Sequence, residues 1–320
     1  MEATAEAHPN IAVVKYWGKR DVALNLPAVP SLSVTLDRFL TRTTVTWGVD
    51  EPADHFSLDG ESASDGASRK VSRFLDLVGG RDRPRCRVVS TNDFPTAAGL
   101  VSSSSGFAAL ALAATAAARQ DRSLAELSAL ARMGSGSASR SLWGGWVEWQ
   151  MGTEPDGSDS HGTPLAPQSH WDICVVVALV STAPKAVSST GGMQDTARSC
   201  PFYDRWVQTA PTDVAEGRRA ILGRDLERLG RVMEWSTLKM HSTMLTTEPS
   251  IRYWQPATIA CMSIVEALRA AGTGAWYTMD AGPNVKVLCD RQDAETVAAA
   301  LRTAVERVDV LGVGGDARLC

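Results

Sequence analysis

The sequence predicts a mixed α/β fold, and three observations carry that expectation. Short apolar or β-branched runs recur at residues 10–17, 31–36, 41–47, 86–90, 172–180, 275–278 and 285–289. Runs of that length bounded by turn residues read as strands. Longer stretches of helical character lie between them, at residues 69–77, from 102 into an alanine-rich run, and at 123–133, 212–244, 256–271 and 293–308,. Finally, the 320 residues suffice for two domains or one large one,. Residues 152–168, rich in Gly, Pro, Asp and Ser, are the best candidate for a surface insertion or domain junction,.

Composition excludes several classes. With 44% hydrophobic and 21% charged residues, the chain has the balance of a soluble globular protein,. A net charge of -4 leaves no overall footprint for nucleic acid, although a local basic site stays open,. The six cysteines are dispersed, with no CxxC pair, so they read as reduced thiols of a cytoplasmic protein rather than a disulfide frame or zinc site,. Residues 1–9 lack the basic and apolar segments of a signal peptide, and no apolar run nears the roughly 20 residues of a membrane span,. Neither a membrane nor a nucleic acid is expected as a partner.

Taken in order, the run Asn-Ile-Ala-Val-Val-Lys-Tyr-Trp at 10–17 places Lys15 among apolar residues. That is costly unless its ammonium reaches an anion or a carboxylate; an edge or surface lysine is the alternative. Lys15, Lys19 and Arg20 together suit a multiply charged anion. Residues 31–36 alternate as a half-buried strand and 41–47 form a second, an expected antiparallel pair. Residues 50–68 read as a loop. After the strand at 86–90, Gly99 lets backbone approach a ligand, and Ser102, Ser103, Ser104 and Ser105 open the alanine-rich helix. A helix N-terminus binds phosphate through its free N–H groups and dipole, and serine hydroxyls add donors and possible magnesium ligands. An ordinary serine-capped helix fits the same residues.

Ser123 and Glu126 match a capping box for a helix running to about Met133, stopped by Gly134,. The small residues Gly134, Ser135, Gly136, Ser137 and Ala138 leave room for a ligand against the backbone, and Arg140 offers a planar fork for a carboxylate or phosphate. A flexible linker is disfavoured because Trp143, Trp146, Val147 and Trp149 resume a strand pattern at once. Residues 185–193 form a second Ser/Gly loop, either a lid over a ligand or a plain exposed loop. Residues 212–244 read as one long helix interrupted near Gly217, Gly223 and Gly230, and residues 256–271 as another, stopped by Gly272. Between the strands at 275–278 and 285–289 sits Met-Asp-Ala-Gly-Pro-Asn, a tight turn carrying Asp280, with Lys286 just inside the second strand. An aspartate there is commonly an Asx-turn residue. Residues 293–308 are the last amphipathic helix.

The glycine-rich stretch is neither a Walker A loop nor a dinucleotide fingerprint. Pro-Thr-Ala-Ala-Gly-Leu-Val-Ser-Ser-Ser-Ser-Gly at 95–106 instead resembles the phosphate loop of the GHMP kinase superfamily. Six segments in order, at 10–21, 31–36, 92–106, 134–141, 187–193 and 278–286, resemble the mevalonate diphosphate decarboxylase family. The resemblance implies the superfamily's two-lobed α+β fold with a cleft between the lobes. Residues 1–170 would form a ribosomal-protein-S5-like nucleotide-binding lobe, and residues 171–320 a ferredoxin-like lobe carrying the catalytic aspartate. It also implies ATP-dependent decarboxylation of mevalonate 5-diphosphate to isopentenyl diphosphate by a cytoplasmic homodimer using Mg2+. Asp280, Lys15 and Arg140 would be catalytic. Tyr16, Lys19, Ser135, Gly136, Ser137, Ser188 and Ser189 would bind substrate. Gly99, Ser102, Ser103 and Ser104 would bind the ATP phosphates, with magnesium held by those phosphates and Ser103 a candidate ligand.

The chain departs from the family pattern at two places. Ala28, Val29 and Pro30 stand where a small polar pair is usual, and Ser104 and Ser105 where alanine or a serine-alanine mix is usual. The first bears on the acceptor more than on the chemistry. Acceptors compatible with the same residues are mevalonate monophosphate or another β-hydroxy acid, turned over by a decarboxylase or a 3-kinase. A catalytically dead binding protein would be expected to lack the aspartate or the phosphate loop, and both are present.

Overall fold

The strand-like runs pair into three main sheets in a computed structural model that describes residues 1–94, 102–183 and 185–320. The first sheet is built from β1 (Glu2–Ala7), β6 (Thr41–Trp47), β7 (His55–Leu58), β8 (Glu61–Ser62), β9 (Cys86–Asn92) and β16 (Arg318–Leu319), in the order β16-β1-β6-β9-β7-β8. The second contains β2 (Asn10–Val14), β5 (Ser31–Thr35), β10 (Trp146–Trp149) and β11 (Gly162–Ala166), ordered β11-β10-β5-β2, and β3 (Lys19–Asp21) with β4 (Leu26–Pro27) makes a small ribbon beside it in sequence. The third comprises β12 (Ile173–Leu179), β13 (Ala275–Met279), β14 (Val285–Asp290) and β15 (Arg307–Leu311), ordered β13-β14-β12-β15.

Helices cover these sheets according to their apolar faces. Helix α1 (Asp65–Gly79) and the alanine-rich α2 (Ser102–Ala117) lie on the first sheet, where Phe74, Leu75, Phe107 and Leu110 pack with Val45, Trp47 and Val88. The N-terminus of α3 (Leu124–Gly134) shows the expected capping box, Ser123 and Glu126 bonding each other's backbone,. Helices α5 (Tyr203–Gly223) and α6 (Leu226–Leu245) bridge the second and third sheets through Val214, Ile221, Leu229 and Met233. Helices α7 (Pro256–Ala270) and α8 (Ala294–Leu301) close the other face of the third sheet, which is why β12 and β14 are apolar on both faces,. Among the described residues, no helix is long and apolar enough to cross a membrane.

Several expectations need correction. The strands at 31–36 and 41–47 do not pair: β5 lies between β10 and β2 in the second sheet, and β6 between β1 and β9 in the first. Residues 50–68 are not a loop throughout: β7 pairs in parallel with β9, and α1 starts at Asp65 behind its cap Ser64. The 152–168 stretch holds β11, which pairs with β10. β1 was not foreseen, because Glu and Ala, which make up all but one of its residues, have little strand preference of their own and are ordered by pairing with β6,. The 185–193 loop ends where Ser188 caps α4 (Ser189–Ser199). Residues 212–244 are parts of two helices, with α5 beginning at Tyr203 and carrying Pro211 inside it. The break lies at Arg224, in the left-handed region, and Asp225, which caps α6 by accepting from the Arg228 N–H at 2.9 Å. Gly217 and Gly230 do not break these helices but allow close packing: a Cβ on Gly217 would lie 2.8 Å from Leu32, and one on Gly230 would overlap the Trp276 indole. Helix α8 stops at Leu301, and 307–311 form β15, which the apolar pattern alone did not separate from the helix.

Candidate active site

Two chain segments far apart in sequence meet at Asp280. It follows β13 on the tight turn into β14, the loop that the Gly-Pro pair predicts. Lys15 sits just past β2, and its Nζ donates to Asp280 Oδ1 at 2.7 Å and to the Ala12 carbonyl at 2.9 Å. Lys286, inside β14, places Nζ 3.1 Å from Asp280 Oδ2, an ion pair outside hydrogen-bond geometry. Asp280 Oδ2 therefore has an attracting charge beside it and an unused acceptor site. The two lysine side chains are 2% exposed and the aspartate side chain 24%, while the Asp280 Oδ2 atom itself is buried.

Helix α6 supports the trio from behind. The Lys15 N–H donates to Ser236 Oγ at 3.0 Å, and the Thr237 and Thr278 hydroxyls share a bond of 2.8 Å. The buried His241 ring packs on Trp254 with centroids 5.1 Å apart. Burial, and then the Lys15 charge, push His241 down to about 3, so it is neutral here. Burial likewise lowers the Lys15 ammonium to about 8, with Asp280 only partly offsetting it,. For Asp280 burial works against ionisation, but Lys15 and then Lys286 outweigh it and hold the carboxyl well below the usual carboxylate range.

Arg140 lies in a 3-10 turn, Gly136–Arg140, after α3. Its Nη1 donates to Ser31 Oγ at 2.7 Å and its Nε to Asn10 Oδ1 at 3.2 Å, and the guanidinium carbon lies 5.7 Å from the centroid of the Trp149 ring. Asn10 is held by donating to the Ser137 carbonyl at 2.9 Å and Ser141 Oγ at 2.8 Å. Burial pulls Arg140 down to about 10. Among the described residues it has no ion-pair partner, only neutral acceptors. A buried cation in that state is prepared for an anion that arrives from outside.

The small-residue loop is compact for a reason visible in its neighbours. A Cβ on Gly136 would fall 2.7 Å from Trp149 and 3.1 Å from Tyr16, whose rings meet edge-on at 4.6 Å. The Tyr16 hydroxyl is buried without a partner among the described residues. Ser135 Oγ lies 3.2 Å from both Ser137 Oγ and Ser103 Oγ, so the loop touches the start of α2. Lys19 is partly buried in β3, which lowers its ammonium pKa.

The sequence-derived candidates thus separate. Asp280 and Lys15 touch directly, and Ser103, Ser135 and Ser137 form one hydroxyl row beside Tyr16 and Gly136. Ser188 caps α4 by accepting from the Gly191 N–H at 3.1 Å, and Ser189 is the first residue of that helix; neither is bonded to the other candidates. Ser104 is fully buried in α2. Gly99 lies outside the described residues, and Ser102 opens α2 with a side chain outside them. Val29, in the departure noted before β5, is buried against Trp17, Met193 and Trp206 and belongs to the core. Sequence reasoning missed Lys286, Asn10, Ser31 and His241 as site residues. Lys286 carried the signal that singled out Lys15, a lysine in an apolar strand; nothing local marked the other three.

Known proteins resemble this chain along most of its length. The family model of the diphosphomevalonate decarboxylase-like N-terminal domain matches residues 7–162, and that of the mevalonate 5-diphosphate decarboxylase C-terminal domain matches residues 175–311. The diphosphomevalonate decarboxylase of Gibberella zeae is 39% identical over 98% of this chain and 86% of its own. The human diphosphomevalonate decarboxylase is 38% identical over 92% and 79%. Among solved structures, mevalonate diphosphate decarboxylase from Staphylococcus aureus superposes with a TM-score of 0.94 at 38% identity, covering 100% of this chain and 98% of its own. The enzyme designated MDDEF, in complex with MVAPP, AMPPCP and magnesium, gives 0.95 at 38% identity, with 100% and 99% covered. The two-lobed GHMP kinase fold implied by the sequence holds. With both family models matched and relatives at this identity spanning nearly its whole length, the chain belongs to the mevalonate diphosphate decarboxylase family.

Proposed function

We propose that the protein uses ATP to convert mevalonate 5-diphosphate into isopentenyl diphosphate, ADP, phosphate and carbon dioxide. The observation that carries this reading is the pairing of two incomplete groups: Asp280, with one carboxylate oxygen free of hydrogen bonds, and Arg140, a buried cation without an anion. Arg140 binds the substrate carboxylate, and Asp280 Oδ2 accepts a hydrogen bond from the tertiary 3-hydroxyl. Held so acidic, Asp280 is a weak base in the resting site; it orients the hydroxyl oxygen toward the γ-phosphorus and takes its proton only as the new O–P bond forms, passing it on to the phosphate that later leaves. That suffices for a loose phosphoryl transfer, in which positioning and charge stabilisation dominate. Lys15 and Lys286 offset negative charge around the transferred group. The C3–O bond of the phosphorylated substrate then breaks with both electrons leaving on phosphate. The C1–C2 bonding pair becomes the C2–C3 double bond as carbon dioxide departs.

Residues 1–170 supply the nucleotide and most of the diphosphate contacts in this reading, and residues 171–320 supply Asp280. Ser103, exposed at the start of α2 and 3.2 Å from Ser135, fits an ATP phosphate oxygen,. Magnesium arriving with those phosphates would supply charge neutralisation, and the Ser103 hydroxyl would be its candidate protein ligand. Ser104 contributes to the packing of α2. Tyr16, Lys19, Ser135, Gly136 and Ser137 serve the substrate diphosphate, and Ser188 and Ser189 bring the N-terminus of α4 toward it. A homodimer and a cytoplasmic location complete the reading, and light scattering and cell fractionation test them.

The test offers the purified protein ATP, magnesium and either mevalonate 5-diphosphate or the 5-phosphate. Carbon dioxide and ADP in equal amounts from the diphosphate support the reading. ADP without carbon dioxide makes the protein a 3-kinase, and preference for the monophosphate reassigns the substrate. The pH dependence follows from Lys15. Its charged form predominates below about 8 and is lost as pH rises through that value. We expect kcat/KM, which reports the free enzyme, to fall above pH of about 8, and a flat profile to pH of about 10 would exclude Lys15 as the titrating group.

A further inference from the structure

Tyr203, the first residue of α5, carries a hydroxyl that nothing among the described residues satisfies. The oxygen is buried and has no hydrogen-bond partner, a state that buried phenols rarely keep. Gly18 determines where it sits. That residue has φ of +106°, and a Cβ there would overlap the Tyr203 hydroxyl, so glycine admits the phenol to the main chain between Tyr16 and Lys19,. The Tyr16 hydroxyl is buried and unpartnered too, and the two phenols lie close enough to act on each other electrostatically. Burial and then Lys70 lower the Lys19 ammonium pKa, and no carboxylate contributes to it. Helix α5 begins here without a side-chain cap, and the Tyr203 N–H itself donates to the Cys200 carbonyl at 3.3 Å. Burial, and then the exposed Asp204, raise the Tyr203 phenol, so it remains a donor.

We propose that Tyr203 is a substrate-binding residue whose hydroxyl donates to the diphosphate end of the substrate beside Tyr16 and Lys19. The inference rests on the reading of the protein as acting on mevalonate 5-diphosphate, and it assigns to that subsite a residue that no sequence motif indicated. Two buried phenolic hydroxyls without an acceptor, one of them against Gly18 next to Lys19 in the chain, have the chemistry of an anion site. The terminal phosphate supplies acceptor oxygens that a monophosphate lacks.

The test is Tyr203→Phe in the full-length protein, which keeps the ring against Gly18 and removes one oxygen. KM for mevalonate 5-diphosphate should rise about tenfold, the size of one hydrogen bond to a charged group, while kcat and KM for ATP change by less than about twofold. Titration calorimetry with inorganic diphosphate should show the same weakening. The melting temperature should stay level or rise, because an unsatisfied buried hydroxyl is lost. An unchanged KM with unchanged diphosphate affinity overturns the inference, as does a fall in kcat at constant KM. If the wild-type protein fails to turn over mevalonate 5-diphosphate, the functional reading falls, and the diphosphate titration still decides the role of Tyr203.

Discussion

Asp280→Asn is expected to lower kcat by about 10²–10⁴-fold while leaving KM for both substrates within about threefold. Asparagine keeps the shape but turns one of the two oxygens into a donor. If the amide nitrogen takes the Oδ2 position, it cannot accept from the substrate hydroxyl; if it takes the Oδ1 position, it opposes the Lys15 ammonium now 2.7 Å away. Either orientation costs alignment of the hydroxyl with the γ-phosphorus. Retention of more than about a tenth of the wild-type rate would remove Asp280 from the reaction.

The same variant has a stability signature. Losing the carboxylate leaves two buried ammonium groups without a counter-charge, and breaking a buried pair from one side costs about 3–5 kcal/mol. Lys15, already lowered to about 8 by burial, loses the Asp280 attraction that raises it, so in the variant it gives up its proton at a lower pH. Between that pH and the unfolded lysine value the unfolded chain binds more protons, so stability rises with pH. Urea melts at pH 7 and pH 9 should therefore show a destabilised variant that partly recovers at the higher pH.

Arg140→Met separates stability from function. The guanidinium is buried on Asn10 and Ser31 with no ion-pair partner among the described residues. Replacing an unpaired buried charge by an apolar chain of similar reach removes a desolvation cost, although it frees one acceptor on each neutral partner. We expect the melting temperature to hold or rise by a few degrees, and kcat/KM to fall by about 10³-fold because the substrate carboxylate loses a charged, forked partner. Arg140→Lys should recover less than about a tenth of the wild-type value, since an ammonium cannot reproduce the planar fork. Scanning calorimetry and steady-state assays decide it. A variant that both unfolds and loses activity would make Arg140 a structural cation instead.

The sequence alone was sufficient for β2, β5, β10, β12, β13 and β14, the capping box at Ser123 and Glu126, and the turn at Asp280, though not for β11 or β15. Each depends on neighbours within a few residues: alternation, a cap three residues away, a Gly-Pro pair. It also marked Lys15 and Arg140, because a charge embedded in apolar or small residues is costly wherever the chain goes. Other features were written in distant residues. β1 needed β6 as its partner, β7 needed β9, and the boundary between α5 and α6 was hidden by glycines that serve packing against Leu32 and Trp276. The partnership of Lys15 with Asp280, 265 positions away, the second ammonium of Lys286, the Asn10 and Ser31 seats of Arg140 and the unsatisfied hydroxyl of Tyr203 belong to the same class. Local propensity names residue types and places turns, but a charge acquires its partner and a hydroxyl loses one only when packing sets which surfaces meet. The candidate residues could be named one by one from the sequence, and which of them meet was decided by the tertiary fold.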